Sequence, residues 1–318
     1  MSNWSKHGRI IQASGNGNWY HFGFSGSQAL LRSNNTIELF LTGRDQENRS
    51  RIGSAIFDLN NKQFNSISEN AILDLGERGT FDFNGTGYPF VIESNYKQYL
   101  YYTGWTKGAH TDFINDLGLA IRSEGKADFN RISRASIFCR TNDEPFGTGS
   151  VCVMQDEGIW KIWYTCFNRW EGNENGLRHY YQIKYAEGNS ATDWKRSNQI
   201  AIPYNPNNGE YVTAKPYVIK HQGLYLMWYS FRGEAYKIGF AVSKDGINWH
   251  RHDNSQLCLK ASDSGWDSEM VCYANVIINQ QTAYMFYNGN GYGKSGLGYA
   301  SMDLASFNDE LKNLGYLN

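Results

Sequence analysis

Apolar residues occur along this chain in short bursts, rich in Tyr, Trp, Val and Ile and separated by clusters of Gly, Asn and Asp. Bursts of that length and composition predict β-strands joined by tight turns. The clearest unit is SGWDSEMVCYANVIINQQTAYMFYNGNGYGKSGLGYA, Ser264 to Ala300. Its pattern predicts three strands: Val271 to Ile278, Ala283 to Tyr287 and Leu297 to Ala300.

Weaker copies stand upstream. The second bursts are LFLTGRD, YLYYTGW, KIWYTCFNR, YLMWYSFRG and YMFYNGNG. Their Thr, Ser or Asn residues, Thr42, Thr103, Thr165, Ser230 and Asn288, recur at separations of 61, 62, 65 and 58. The third bursts keep an independent register and end at Ala55, Ala120, Ala186, Ala241 and Ala300, separated by 65, 66, 55 and 59. Five copies with three or four strands each predict an all-β fold, a five-bladed β-propeller. Stacking blades round a ring buries the faces that one blade leaves exposed. Gly53, Gly118, Gly239 and Gly298 in the third bursts predict close approach of adjacent sheets. Trp194 and Trp249 read as packing residues, and Asp245-Gly246 reads as a hairpin turn. No fourth strand is evident after Ala300. The N-terminal segment His7–Ser14 is therefore expected to supply the outer strand of the last blade and to close the ring. Residues 1–318 read as one domain.

Composition narrows the function classes. The formal net charge of −1 gives no bulk field for nucleic acid or an acidic membrane. No apolar run approaches the length of a membrane span, and the polar N-terminal stretch lacks a leader pattern, so a cytoplasmic location is expected. The five cysteines have no zinc-ligand spacing and read as reduced thiols. No EF-hand-like loop or His pair stands in the chain, and neither metal nor cofactor is expected.

Candidate chemistry comes from the start of each first strand. The aligned openings are His21, Asp82, Glu144, Glu210 (with a one-residue shift) and Asp267, with Glu269 two residues beyond the last. In a propeller these openings would converge on the channel entrance, and converging carboxylates are costly unless paired or used. The second-strand ends add Arg44, Asp45, Trp105, Arg169, Arg232 and Asn288, and Lys215 lies in a first strand. Carboxylates, guanidinium forks, amides and aromatic faces suit a sugar ring. Converging arginines would imply an anionic group such as phosphate or a uronate. His110 and His179 sit in stretches read as long polar loops, 107–115 and 170–180, and are taken as incidental.

With the five-fold count, the YxYTG-type second strands, SKDGINW and WDSEM…MFYNGNG…GLGYA, the chain resembles the five-bladed β-propeller glycosidases of glycoside hydrolase families 43, 32 and 68, and more loosely family 130. The resemblance implies a base Asp, an orienting Asp and an acid Glu from the first three blades. Asp82 matches the second and Glu144 the third, while His21 stands where the first Asp is expected. A carbohydrate-active enzyme working at a glycosidic bond is the leading expectation, with Glu144 as acid and Asp82 and Glu269 as the other catalytic carboxylates. Glycosyl transfer or phosphorolysis in bacterial polysaccharide metabolism is the second. The third is a non-catalytic carbohydrate-binding propeller.

Overall fold

The computed structural model describes residues 3–12, 15, 19–123, 126, 128–173 and 176–318. Its strands are β1 (Ser5–Ile11), β2 (Phe24–Ser33), β3 (Thr36–Arg44), β4 (Ser50–Asp58), β5 (Gln63–Ile67), β6 (Gly85–Ser94), β7 (Lys97–Thr106), β8 (Ile114–Ser123), β9 (Asn130–Arg131) and β10 (Thr148–Asp156). There follow β11 (Ile159–Asn173), β12 (Gly176–Gly188), β13 (Trp194–Ile202), β14 (Val212–His221), β15 (Leu224–Arg232), β16 (Tyr236–Ser243), β17 (His250–Arg251), β18 (Cys272–Asn279), β19 (Thr282–Asn288) and β20 (Leu297–Asp303), then helix α1 (Leu304–Asn313).

Antiparallel pairing groups these strands into five meanders: β2–β5, β6–β9, β10–β13, β14–β17, and β18–β20 with β1 on its outer edge. The N-terminal strand does pair with β20, as Lys6 opposite Ala300 and Ile11 opposite Leu297. Residues 13 and 14 of the expected segment lie outside the described residues. Second strands such as β3, TIELFLTGR, are apolar on both faces because they are buried on both. Outer strands such as β5 are half exposed and polar. Two-residue turns at Asn95–Tyr96, Glu157–Gly158 and Gln222–Gly223 have positive φ at both positions, the geometry that matches strand twist. Asp245-Gly246 belongs instead to the longer link between β16 and β17. There the Asp245 carboxylate accepts from Ile247 N and Asn248 N, both at 2.8 Å.

The first strands β2, β6, β10, β14 and β18 pack against one another in that order, and β18 also meets β2. Each has a register irregularity at the equivalent place, Ser25/Gln28, Gly87/Phe90, Thr148/Val151, Ala214/Tyr217 and Cys272/Asn275, and β2 has a second at Leu31/Ser33. The repeated Thr, Ser and Asn residues serve these bulges. Thr42 Oγ1 accepts from Tyr88 N at 2.8 Å, Thr165 Oγ1 from Lys215 N at 3.2 Å, and Ser230 Oγ from Tyr273 N at 2.8 Å. Asn288 Oδ1 accepts from Gly26 N at 3.2 Å, so the fifth meander is bonded to the first. The second-strand residue of one meander thus holds the bulge of the next. Thr103 Oγ1, the remaining copy, has no partner among the described residues.

The glycines of the third strands have a different purpose from the one expected. A Cβ on Gly118 would lie 2.2 Å from the Tyr102 ring, and one on Gly298 would lie 2.5 Å from Trp266. They make room for an aromatic ring of their own meander. Trp194 and Trp249 pack as expected, against Tyr101 and Trp163. Helix α1 is capped by Asp303, which accepts from Ser306 N at 2.8 Å, and buries Phe307 and Leu311.

Candidate functional site

Each aligned carboxylate is engaged by donors of its own meander. Asp82, 1% exposed, accepts from Tyr102 OH at 2.9 Å and Arg131 Nε at 2.7 Å. Glu144 accepts from Tyr164 OH at 2.7 Å, Arg196 at 2.9 Å and Lys184 at 3.1 Å. Asp267 accepts from Tyr287 OH at 3.0 Å and Lys6 at 2.7 Å. Glu210 is held by Arg251 through two bonds of 3.0 Å. In each case one cation comes from the outermost strand of the same meander, and Glu144 has a second, Lys184, from β12. Each of these four carboxylates is thus paired with a cation of its own meander.

One correlation explains the pattern. Each outer-strand cation stands opposite the repeated alanine: Arg131 opposite Ala120, Arg196 opposite Ala186, Arg251 opposite Ala241, Lys6 opposite Ala300. Each tyrosine, Tyr102, Tyr164, Tyr229 or Tyr287, directly precedes the Thr, Ser or Asn marker. In the fourth meander Tyr229 bonds Asp253 instead, which shares Arg251. In the first meander the same three places hold His21, Leu41 and, opposite Ala55, Ile67. The meander without the carboxylate also lacks the tyrosine and the cation. His21 therefore marks a missing clamp. Burial and the adjacent carboxylate push the Tyr102, Tyr164 and Tyr287 phenols up, which keeps them as donors.

The other expected site residues divide. Asp45 is bound to Arg49 and Arg51 beside its own hairpin. Arg169 pairs with Glu171 at 3.1 Å and covers Tyr180, whose ring meets Tyr211. Asn288 is fully buried in the bond that joins the fifth meander to the first, and donates to Phe24 O at 2.8 Å. Asp267 and Glu269 are not on one strand face: the segment is a turn, with Asp267 buried and Glu269 exposed. Glu269 borders a groove of about 1050 Å³ that also touches Glu210, Tyr236 and Arg251.

Arg44, Trp105 and Arg232 are linked through one chain of aromatic contacts that runs through Tyr88, Tyr273 and Tyr236. Tyr88 stacks on Trp105 with centroids 5.8 Å apart, and its hydroxyl lies 3.3 Å from that of Tyr273. Tyr273 touches Tyr236, whose hydroxyl bonds that of Tyr181. Phe113, Phe167, Trp170 and His179 continue the aromatic wall. Trp170 and His179 belong to the long hairpin of β11 and β12, which corrects their assignment to a loop. Arg232 lies over Tyr211, Tyr236 and Tyr292 at 5.5, 5.6 and 5.7 Å, and Arg44 over Trp105 at 5.6 Å. Burial, then Arg232, holds the His179 imidazole below its ordinary pKa. We call this assembly the mouth. Three buried polar atoms in it have no partner among the described residues: Trp105 Nε1, His179 Nδ1 and Arg232 Nε.

Lys215 shares the bulge position with Tyr88 and Tyr273, at φ 50, 49 and 60 respectively. It is 1% exposed and its Nζ has no partner among the described residues. Burial pulls its ammonium down to about 8. Among the described residues, no group of three His, Cys, Asp or Glu side chains could hold a metal. Among the described residues, no helix is long and apolar enough to cross a membrane.

No protein-family model matches the chain. The uncharacterised protein Rv1502 of Mycobacterium tuberculosis (strain ATCC 25618 / H37Rv) is 32% identical over 306 residues, covering 94% of this chain and 99% of that protein. The chain belongs to the Rv1502 family. The family also includes MT1551 of M. tuberculosis strain CDC 1551 / Oshkosh, 32% identical over the same length. Solved structures similar to this Rv1502-family chain include a glycoside hydrolase with TM-score 0.73 at 15% identity, covering 94% of this chain and 92% of that one. A second belongs to the GH130 family of mannoside phosphorylases, which contains glycoside hydrolases that target β-1,2 mannosidic linkages, with TM-score 0.70 at 13% identity and coverage of 95% and 94%. A thermostable family-43 glycoside hydrolase gives TM-score 0.63 at 19% identity, with coverage of 92% and 91%. The Rv1502-family chain therefore has the fold of the propeller glycosidases.

Proposed function

We propose that the protein recognises a carbohydrate at the mouth of a five-bladed propeller, formed by residues 1–318 as one domain and closed between the fifth and first meanders. The pairing of β1 with β20 and the bond from Gly26 N to Asn288 support the closure. The observation that carries the function is the mouth's composition: aromatic faces from several meanders beside guanidiniums without carboxylate partners. Sugar rings offer apolar faces to Trp105 and Tyr292 and hydroxyls to phenol and guanidinium. The glycosidase-like fold of the structural neighbours supports a carbohydrate ligand. Isothermal titration with glycans tests the reading. Trp105→Ala should weaken binding about tenfold or more, as loss of a stacking face in a desolvated pocket does. Unchanged affinity would refute it.

Cleavage or transfer at a glycosidic bond is the second reading, and Glu269 favours it. This carboxylate is exposed, carries no ion pair among the described residues, and borders the groove beside Tyr236. Catalytic roles for Asp82 and Glu144 would require their clamps to open first. Loss of sugar release in Glu269→Gln supports this reading, and undiminished release counts against it.

A further inference from the structure

Elsewhere the chain pairs its half-buried arginines with carboxylates: Arg131 with Asp82, Arg196 with Glu144, Arg251 with Glu210. The mouth breaks that habit. Among the described residues, neither Arg44 nor Arg232 has a carboxylate within ion-pair distance; Arg44 donates to Asn48 O at 3.1 Å, and Arg232 meets only aromatic rings. Ring faces attract a guanidinium but do not neutralise it. Lys215, wholly buried at the bulge position that Tyr88 and Tyr273 occupy in their own strands, also lacks a counter-charge among the described residues. Cations gathered at a desolvated aromatic site without counter-ions are complementary to an anion, and a guanidinium fork suits an oxyanion.

We infer that the ligand of the mouth is an acidic saccharide, with its oxyanion held by Arg232 and Arg44 and its ring on Trp105. This inference rests on the carbohydrate reading of the same site. A carboxylate on a uronic acid and a phosphate ester on a sugar present the same chemistry to a guanidinium. The aromatic wall and the chain's balanced charge favour either over a polyanion such as nucleic acid, which binds through many phosphates at once.

The test is a glycan array on the full chain, followed by titration calorimetry. Each acidic saccharide is matched with its carboxyl-reduced or dephosphorylated counterpart, and inorganic phosphate is included alone. The acidic member should bind about tenfold tighter than its neutral partner, and Arg232→Gln should abolish the difference while leaving the melting temperature near that of the parent. Whether uronates or phosphate esters show the preference identifies the anion. Equal binding of neutral and acidic members overturns the inference and leaves the carbohydrate reading standing. A preference untouched by both Arg232→Gln and Arg44→Gln overturns the assignment to this site. Binding of phosphate with no saccharide bound, or of nothing on the array, overturns both readings.

Discussion

Breaking the Asp82–Arg131 pair is the sharpest test of what the aligned carboxylates do. Asp82 is 1% exposed, and its partner's side chain is 24% exposed. Arg131→Met would leave a buried carboxylate with only the hydroxyls of Tyr102 and Thr80, at 2.9 and 2.8 Å. Removing one partner of a buried pair costs about 3–5 kcal/mol; the two remaining donors place this case at the lower end, about 3 kcal/mol. Asp82→Asn strands a guanidinium that can turn to water, for a loss of about 2 kcal/mol. The double variant removes both charges from the interior. It should lose about 2 kcal/mol where additivity demands about 5, a coupling of about 3 kcal/mol. Urea unfolding of the four proteins in one buffer, followed by tryptophan fluorescence, measures all terms. Losses that add to within about 0.5 kcal/mol would refute the clamp. The first meander already carries the apolar alternative, Leu41 with Ile67, at the equivalent places.

Three further outcomes follow from the same geometry. Lys215 ionises at about 8 folded against its ordinary 10.5, so between those values the folded state binds fewer protons than the unfolded. Stability should then rise with pH across that window by about 3 kcal/mol, and Lys215→Met should remove the rise and be the more stable protein at pH 7; a flat parent profile would sink the argument. Asn288→Ala orphans Gly26 N and Phe24 O and should cost about 2–3 kcal/mol, seen as a lower melting temperature, whereas an unchanged melting temperature would mean the last and first meanders are held without it. Glu269→Gln, at an exposed and unpaired side chain, should leave stability within about 0.5 kcal/mol of the parent, so any loss of sugar release in it reports chemistry, and a clear fall in stability would contradict its free placement.

The period was legible because each meander reuses two markers with physical purposes. Thr42, Thr165, Ser230 and Asn288 hold the next bulge, and the third-strand alanines sit opposite the clamp cations. The alignment of carboxylates was also legible, but not their direction. Openings at equivalent places read as converging, while Tyr102, Tyr164 and Tyr287 and the outer-strand cations bond three of them within their own meanders. A signal for this stood in the sequence: the copy with His21 is also the copy with Leu41 in place of tyrosine. The mouth carried no such signal. Its walls come from different copies, and Trp170 and His179, in a polar stretch that reads as a loop, stand opposite each other where β11 and β12 pair.

The bulges explain how one strand can serve both scaffold and site. At four of the five bulges the backbone N–H is taken by a side chain of the preceding meander, which fixes the chain's path. That bond places no demand on the bulge residue's own side chain. The equivalent places accordingly hold Gly26, Tyr88, Gly149, Lys215 and Tyr273, which differ in size, polarity and charge. Gly26 is required where Tyr88 crosses it, since a Cβ there would lie 2.1 Å from the Tyr88 ring. Two tyrosines then meet through their hydroxyls, and a buried lysine at the equivalent place of β14 has no partner among the described residues. An architecture that repeats its backbone bonds while varying the residue aimed inward can build an asymmetric site on a symmetric frame. Ligand specificity in this chain should therefore change most on substitution at these bulges and at the neighbouring Arg44, Trp105 and Arg232, and least on substitution at the aligned carboxylates.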